Sequence, residues 1–167
     1  MFGEKSLLNA IKIGCKQYLI FASGYDTFAY RNDIGNLKVF EIDKSKMIED
    51  KIRRLDNNKL DYSKVNFIRC DFTNRNWIND IIDNNYDKNQ ISFSSLLGIS
   101  YYLTKDDFYN MIQSISSLLC NGSSIVFDYP TYEDSKETQI NEKLASGAKE
   151  EMKSKYSYKD IEQNLSK

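Results

Sequence analysis

The chain has 167 residues, of which 41% are hydrophobic and 28% are charged, and its formal net charge is −1. This length predicts one domain that buries enough surface to fold without disulfides or a structural metal. The balanced charge argues against a nucleic-acid partner. No apolar run approaches the roughly 20 residues that cross a bilayer, so we expect no membrane contact either.

Histidine is absent from the sequence. Its absence excludes Ser-His-Asp and Cys-His catalysis as well as histidine metal ligands, and we expect no metal site. The cysteines, Cys15, Cys70 and Cys120, are widely spaced and form no Cys-x-x-Cys pair. This pattern is typical of a reducing compartment, where cysteines act as small core residues, so we expect a cytoplasmic protein.

The first half of the chain alternates predicted helices with short apolar strands. A helix over 4–13 ends at Gly14, a typical C-terminal stop. The run from Tyr18 to Ala22 has a polar group only in its tyrosine, which favours a central strand buried on both faces. The pattern then predicts a strand over 38–42, a helix over 46–55 and a strand over 65–69.

The second half continues the same alternation. Thr104, followed by two nearby aspartates, is a typical helix N-cap, and Ser157 begins a similar capped segment. The pattern predicts a helix over 77–82, a strand over 91–97, a helix over 105–119, a strand over 123–128 and a helix over 158–165.

Strands that alternate with helices are typical of crossover units. The sequence therefore predicts an α/β fold with a mostly parallel sheet of about five strands and helices on both faces. We expect a single domain over 1–167, with a core over about 4–130 and a polar helical tail over 131–167. The mixed lysines and glutamates from Glu142 onward predict a solvated helical face.

The turn Ala22-Ser23-Gly24 follows the first predicted strand. In an open parallel sheet, ligands bind beyond the carboxyl ends of the strands, and small residues let a ligand approach the backbone. The turn is not a Gly-x-Gly-x-x-Gly sequence, which argues against a diphosphate ligand. The alternative is a tight strand-to-helix turn that binds nothing.

Asp43 ends the second predicted strand, 19 positions after Gly24. A carboxylate at this place can accept hydrogen bonds from both hydroxyls of a ribose. The spacing is close to the roughly 20 positions that separate a nucleoside-binding glycine turn from its acid. Alternatively, Asp43 is the N-cap of the following helix, a role that Ser45 could also fill.

Asp71 and Phe72 follow the third predicted strand. An acid here can accept a hydrogen bond from the exocyclic amine of adenine, and an aromatic ring can cover the base. The alternative for Asp71 is a helix cap or a loop turn. Together, the three strand ends describe an adenosine-shaped site without a strong phosphate cradle.

Several segments carry a family pattern. They are Tyr18-Leu-Ile-Phe-Ala-Ser-Gly-Tyr-Asp-Thr-Phe-Ala-Tyr-Arg31, Val39-Phe-Glu-Ile-Asp43 and Cys70-Asp-Phe72, with further likeness at Gly98–Thr104 and Ile125–Tyr129. The pattern covers most of residues 7–130 and resembles the leucine carboxyl methyltransferase family. The resemblance implies a class I Rossmann-like methyltransferase fold and S-adenosylmethionine as the cofactor.

The resemblance also implies roles for the strand ends. The loop Ala22–Gly24 would line the methionine end of the cofactor, Asp43 would hold the ribose, and Asp71 with Phe72 would hold the adenine. Relatives commonly have glycine where Ala22 stands, and many have a glutamate at Leu97, where it contacts the cofactor's amino group. Family members also have a preceding helical segment and the last strands of a seven-stranded sheet. We therefore expect this chain to be the central portion of a methyltransferase, truncated at both ends, with the last strands missing.

The expected activity is methyl transfer from S-adenosylmethionine to a carboxylate or hydroxyl of a small molecule or a protein. A carboxylate is already nucleophilic and needs no general base, which agrees with the absence of histidine. A hydroxyl would need a base such as Asp128 or a tyrosinate. We expect Tyr101, Asp128 and Tyr129 to contact the acceptor, although aromatic packing is the alternative for Tyr101.

Two other functions stay open at this point. The first is a truncated, catalytically inactive methyltransferase-like domain that binds the cofactor weakly or acts through protein contacts. The second is an NAD-dependent oxidoreductase, which would share Asp43 but should show a Gly-x-Gly-x-x-Gly turn. Apolar surface exposed by truncation also predicts a homo-oligomer or a partner chain.

Overall fold

The computed structural model describes residues 2–31, 35–74, 76–132 and 152–165. Its helices are α1 (Phe2–Lys12), α2 (Phe28–Arg31), α3 (Ser45–Asn57), α4 (Trp77–Ile82), α5 (Lys105–Leu118) and α6 (Tyr158–Leu165). Its strands are β1 (Gln17–Phe21), β2 (Lys38–Asp43), β3 (Val65–Arg69), β4 (Ser92–Leu96) and β5 (Ser124–Phe127).

Each helix and strand predicted above is confirmed to within two residues at either end. The sequence did not predict α2 or the 3₁₀ turn Ser100–Tyr102, both of which are too short to show a helical period. The solvated helical face expected from Glu142 falls mainly on residues 133–151, which lie outside the described residues.

The strands form one sheet in the order β3-β2-β1-β4-β5. β1 pairs in parallel with β2 and β4, and β2 pairs in parallel with β3. Every residue of β1 is buried, which confirms the prediction of a central strand. Because β1, β2 and β3 run the same way, their carboxyl ends lie at the same edge of the sheet. The α/β fold class is therefore confirmed.

The chain divides into two compact units, one of residues 1–96 and 115–126 and the other of residues 97–114 and 127–167. In unit 1, the ring of Tyr18 packs against Phe28 and Phe93 at centroid distances of 5.4 and 5.7 Å. Its hydroxyl shares a hydrogen bond of 2.9 Å with Ser95 Oγ. These contacts join β1, α2 and β4 inside one core.

The cysteines are free thiols. Cys15 and Cys70 are buried in unit 1, as predicted, and Cys120 is half-buried. Burial raises the pKa of Cys70 to about 12, so this thiol stays protonated at neutral pH.

In unit 2, Tyr156 is fully buried and its ring centroid lies 5.1 Å from that of Phe108. Its backbone N–H donates to the Pro130 carbonyl at 2.8 Å, and Lys153 N–H donates to the Tyr101 carbonyl at 2.8 Å. Residues 152–156 are therefore a hydrogen-bonded part of this unit. Within the described residues, no helix is both long and apolar enough to cross a membrane.

A buried ion pair ties β2 to α3 in unit 1. Glu41 in β2 pairs with Lys51 in α3, and their side chains are 0% and 4% exposed. The Tyr30 hydroxyl donates a hydrogen bond of 2.8 Å to Glu41 Oε1. Burial raises the pKa of Glu41, and the Lys51 ammonium opposes that rise. Glu41 thus depends on Lys51 to remain ionised inside the protein.

We expect Lys51→Met to lower the free energy of unfolding by about 3–5 kcal/mol at neutral pH, because it leaves Glu41 buried without its cation. Urea denaturation measures this change. Lys46→Met, on the exposed side of the same helix, is the matched control and should change stability by less than about 0.5 kcal/mol.

The penalty of Lys51→Met should also depend on pH. Without the ammonium, the pKa of Glu41 in the folded protein rises further above its unfolded value of about 4.3. When the pKa of a carboxyl group is higher in the folded protein than in the unfolded one, the free energy of unfolding falls as pH rises between the two pKa values. The penalty should therefore be smaller at about pH 4.5 than at neutral pH, and an equal penalty at both would contradict this assignment.

Candidate functional site

The loop after β1 adopts an unusual backbone conformation. Ala22 and Gly24 both have positive φ, at 50° and 46°. Ser23 N–H donates to the Ile42 carbonyl at 3.2 Å, and Asp26 N–H donates to the Ser23 carbonyl at 2.8 Å. The left-handed residues turn the chain sharply, and these bonds fix the turn against the end of β2.

Asp43 lies at the end of β2 and faces this loop. Its Oδ2 accepts a hydrogen bond of 2.8 Å from Gly24 N–H, and its Oδ1 accepts one of 2.7 Å from Lys44 N–H. The alternative that Asp43 is the N-cap of α3 is wrong, because the N-cap residue is Lys44. A carboxylate has about four lone-pair sites, so each oxygen keeps one for a further donor.

Asp71 lies at the end of β3, next to Asp43 along the edge of the sheet. Cys70 N–H donates to the Asp43 carbonyl at 2.9 Å, which joins the two strand ends. Asp71 Oδ1 accepts hydrogen bonds from Thr73 N–H and Thr73 Oγ1 at 3.0 and 2.8 Å. The Thr73 backbone N–H lowers the pKa of Asp71. Asp71 Oδ1 therefore takes part in a loop turn, as the alternative predicts, whereas Oδ2 can accept a hydrogen bond from another donor.

Phe72 is half-buried beside the same strand end. Its ring meets Trp77 edge-on at a centroid distance of 5.4 Å and tilts against Phe21 at 6.3 Å. Phe21 is the last residue of β1. These contacts hold the Phe72 ring in a defined orientation rather than leaving it free in solvent.

Ser23 supplies a polar atom that the described residues do not satisfy. The residue is 5% exposed, and its Oγ has no hydrogen-bond partner among the residues that the structure describes. An unpaired buried hydroxyl costs free energy, so the site favours a ligand that bonds to it. The loop, Asp43 and Asp71 Oδ2 thus present donors and acceptors suited to a polar ligand such as a nucleoside.

The residues predicted to contact the acceptor belong to unit 2. Both oxygens of Asp128 accept from Gly98 N–H, at 2.8 and 3.1 Å, and burial raises the pKa of Asp128. Burial and then the charge of Asp128 raise the pKa of Tyr101. Tyr129 packs between Phe127 and Tyr156 at centroid distances of 6.2 and 6.1 Å. The charge of Asp128 therefore acts on Tyr101, and Tyr129 stays a predicted acceptor contact that also packs against two aromatic rings.

Sequence reasoning missed a contact that reaches the loop from α3. The Tyr25 hydroxyl donates to Asp50 Oδ2 at 2.5 Å, and the Arg54 guanidinium lies 4.7 Å from the Tyr25 ring centroid. No local pattern signals this contact, because Tyr25 is remote in sequence from its partners. By contrast, Glu41 carried a signal: a charged residue in a strand buried on both faces requires a buried partner.

Comparison with known proteins gives the family to which the chain belongs. The family described as "Leucine carboxyl methyltransferase" matches residues 1–116. The chain is 36% identical to "Putative S-adenosyl-L-methionine-dependent methyltransferase YktD" of Bacillus subtilis (strain 168), over 97% of this chain and 56% of that protein. A second curated relative from Mycobacteroides abscessus is 30% identical over 75% of this chain and 42% of its own length. The chain thus spans about half the length of the curated relatives it matches.

Solved structures show the same fold. Magnesium protoporphyrin IX methyltransferase from Synechocystis PCC 6803, solved with bound SAH, superposes with a TM-score of 0.63 at 10% identity, over 97% of this chain and 67% of that one. Human N-acetylserotonin methyltransferase, in complex with SAM, superposes with a TM-score of 0.64 at 13% identity, over 97% and 44%. These likenesses establish the fold, which is that of Rossmann-like methyltransferases.

The fold is of the class I methyltransferase type. The chain belongs to the leucine carboxyl methyltransferase family. This membership confirms the family resemblance of the sequence and does not favour an NAD-dependent oxidoreductase.

The backbone of the loop allows a direct test. Ala22→Gly should raise the free energy of unfolding by about 0.5 kcal/mol, because it releases left-handed strain of about 1 kcal/mol and adds some unfolded-state entropy. Ala29→Gly, in α2, should instead lower it by about 1 kcal/mol. Urea denaturation distinguishes the two signs. A loss of stability in Ala22→Gly would show that the positive φ at this position carries no strain.

Proposed function

We propose that this chain binds S-adenosylmethionine at the ends of β1, β2 and β3 and transfers its methyl group to an oxygen acceptor. The observation that carries the proposal is the 2.8 Å hydrogen bond from Gly24 N–H to Asp43 Oδ2. It holds a glycine turn and an acid side by side, which is what a nucleoside site requires. Family membership supports the same ligand.

Each strand end carries chemical groups that suit one part of the ligand. Asp43 keeps a lone pair on each oxygen, so it can accept from both ribose hydroxyls while still holding Gly24. Asp71 Oδ2 can accept from the adenine amine, and the oriented ring of Phe72 can cover the base. The unpaired Ser23 Oγ can bond to the methionine portion.

When bound, S-adenosylmethionine supplies a sulfonium methyl group, whose transfer breaks its bond to sulfur, forms a bond to the acceptor oxygen and leaves S-adenosylhomocysteine. The task of the chain's own residues is to orient the ribose and the base, so that the methyl group and acceptor meet in line with water excluded. Asp43 and the loop supply that orientation. No proton transfer is needed when the acceptor is a carboxylate.

The acceptor that we propose is a carboxylate or hydroxyl of a small molecule or a protein. Asp128 is our candidate base for a hydroxyl, because burial raises its pKa and so makes it a better proton acceptor. Tyr101 and Tyr129 are the other proposed acceptor contacts.

Free cysteines support a cytoplasmic location. Self-association through the outer edge of β5, the last strand of the described sheet, completes the proposal.

Calorimetric titration tests the cofactor assignment. We expect the chain to bind S-adenosylmethionine and S-adenosylhomocysteine but not NAD. Asp43→Asn should weaken S-adenosylhomocysteine binding by about tenfold to a hundredfold, because charge-assisted hydrogen bonds to the ribose are lost. Circular dichroism checks that the variant is folded.

Asp61→Asn is the matched control, since Asp61 is an exposed aspartate that accepts a hydrogen bond from Ser63 N–H away from the strand ends. Its affinity should equal that of the wild type. Unchanged affinity in folded Asp43→Asn would reject the ribose role. Binding without production of S-adenosylhomocysteine, across carboxylate and hydroxyl acceptors, would instead favour the catalytically inactive alternative.

A further inference from the structure

The loop that carries Gly24 is held from β2 by backbone and carboxylate contacts. Gly24 N–H is bonded to Asp43, and Ser23 N–H is bonded to the Ile42 carbonyl. Two of its residues have positive φ, and one of these is an alanine, which disfavours that conformation. A loop in such a conformation persists only when its surroundings fix it at several points.

A further point of attachment for the loop lies on α3. Tyr25, directly after Gly24, donates its hydroxyl proton to Asp50 Oδ2 at 2.5 Å. Arg54 Nε donates to the same oxygen at 2.7 Å, and its guanidinium lies 4.7 Å from the Tyr25 ring centroid. Arg53 pairs with the other carboxylate oxygen of Asp50. We call Tyr25, Asp50 and Arg54 the clasp.

The clasp, rather than core packing, fixes the Tyr25 ring. The side chain is 52% exposed, and a cavity of about 220 Å³ borders it, lined also by Tyr30, Lys51 and Leu55. Since half of its surface is exposed and a cavity borders it, the ring is not enclosed by the core. Its hydroxyl and its cation–π contact therefore determine its position.

We propose that the clasp positions the Ala22–Gly24 loop for cofactor binding, so that Tyr25 and Asp50 are positioning residues of the S-adenosylmethionine site. The inference rests on the proposed function. Releasing Tyr25 would let the loop leave its bound conformation in the free protein. The ligand would then have to order the loop on binding, which weakens affinity without removing any contact to the ligand.

The chain contains a second pair of the same chemistry that serves as a control. Tyr62 donates its hydroxyl proton to Asp56 Oδ1 at 2.9 Å, and Asp56 lies on α3 like Asp50. Both tyrosine–aspartate pairs are at the surface. Tyr62, however, follows α3 and precedes β3, so its loss does not release the Gly24 loop.

The test compares Tyr25→Phe and Tyr25→Leu with Tyr62→Phe and Tyr62→Leu. We expect S-adenosylhomocysteine affinity to fall about threefold in Tyr25→Phe and about tenfold in Tyr25→Leu, the scale of ordering one loop side chain on binding. Both Tyr62 variants should keep wild-type affinity. A purely structural role would change the melting temperature of both sets without this difference in affinity.

Amide hydrogen exchange by NMR tests the clasp without any ligand. The Gly24 and Asp26 amides should exchange faster in both Tyr25 variants, while the Ile20 amide in β1 should be unchanged and both Tyr62 variants should match the wild type. Unchanged exchange at Gly24 and Asp26 would overturn the inference, whether or not the cofactor binds. Failure of wild-type binding would overturn the proposed function, and faster exchange would still establish that the clasp holds the loop.

Discussion

The hydrogen bond from Gly24 N–H to the Asp43 carboxylate is the contact on which the candidate site depends. It joins two strand ends that are 19 positions apart in sequence and adjacent in the sheet. The bond uses a backbone donor that any residue except proline could supply and a carboxylate that only an acid supplies. One side chain, Asp43, therefore both holds the loop and contributes charge to the site.

The sheet makes that contact possible, because three consecutive parallel strands end at one edge. The buried Glu41–Lys51 pair acts on the same region from inside the protein, since Glu41 lies two residues before Asp43 and Lys51 lies on the helix that follows it. The clasp acts from the surface on the same helix. Helix α3 thus contacts β2 through a buried ion pair and the loop through an exposed hydrogen bond.

The strand pattern of the fold was predictable from sequence because its apolar runs are short, continuous and separated by helical periods. The spacing of Gly24 and Asp43 likewise predicted their proximity, and the structure joins them by a hydrogen bond. Short elements such as α2 were not predictable, because four residues carry no period. The clasp was not predictable either, since its partners meet only after β1, β2 and α3 have packed.

The sequence does not determine which partner each side chain of the site contacts. An aspartate after a strand has the same pattern whether it faces a ligand, as Asp43 can with its remaining lone pairs, or bonds to its own turn, as Asp71 Oδ1 does. Tyr129 shows the same limit, since the sequence could not reveal that its ring lies beside those of Phe127 and Tyr156. Only the neighbours in space decide between these roles.

The central position of β1 also bears on how the site assembles. Gln17 in β1 pairs with Ser92 in β4, 75 positions later in the chain. Bringing such distant segments together carries a large loop-closure entropy, which slows the folding of parallel sheets. The pairing of β1 with β4 therefore forms only after synthesis has passed β4. A nascent chain that stops before that strand would lack the neighbour that holds β1 in place.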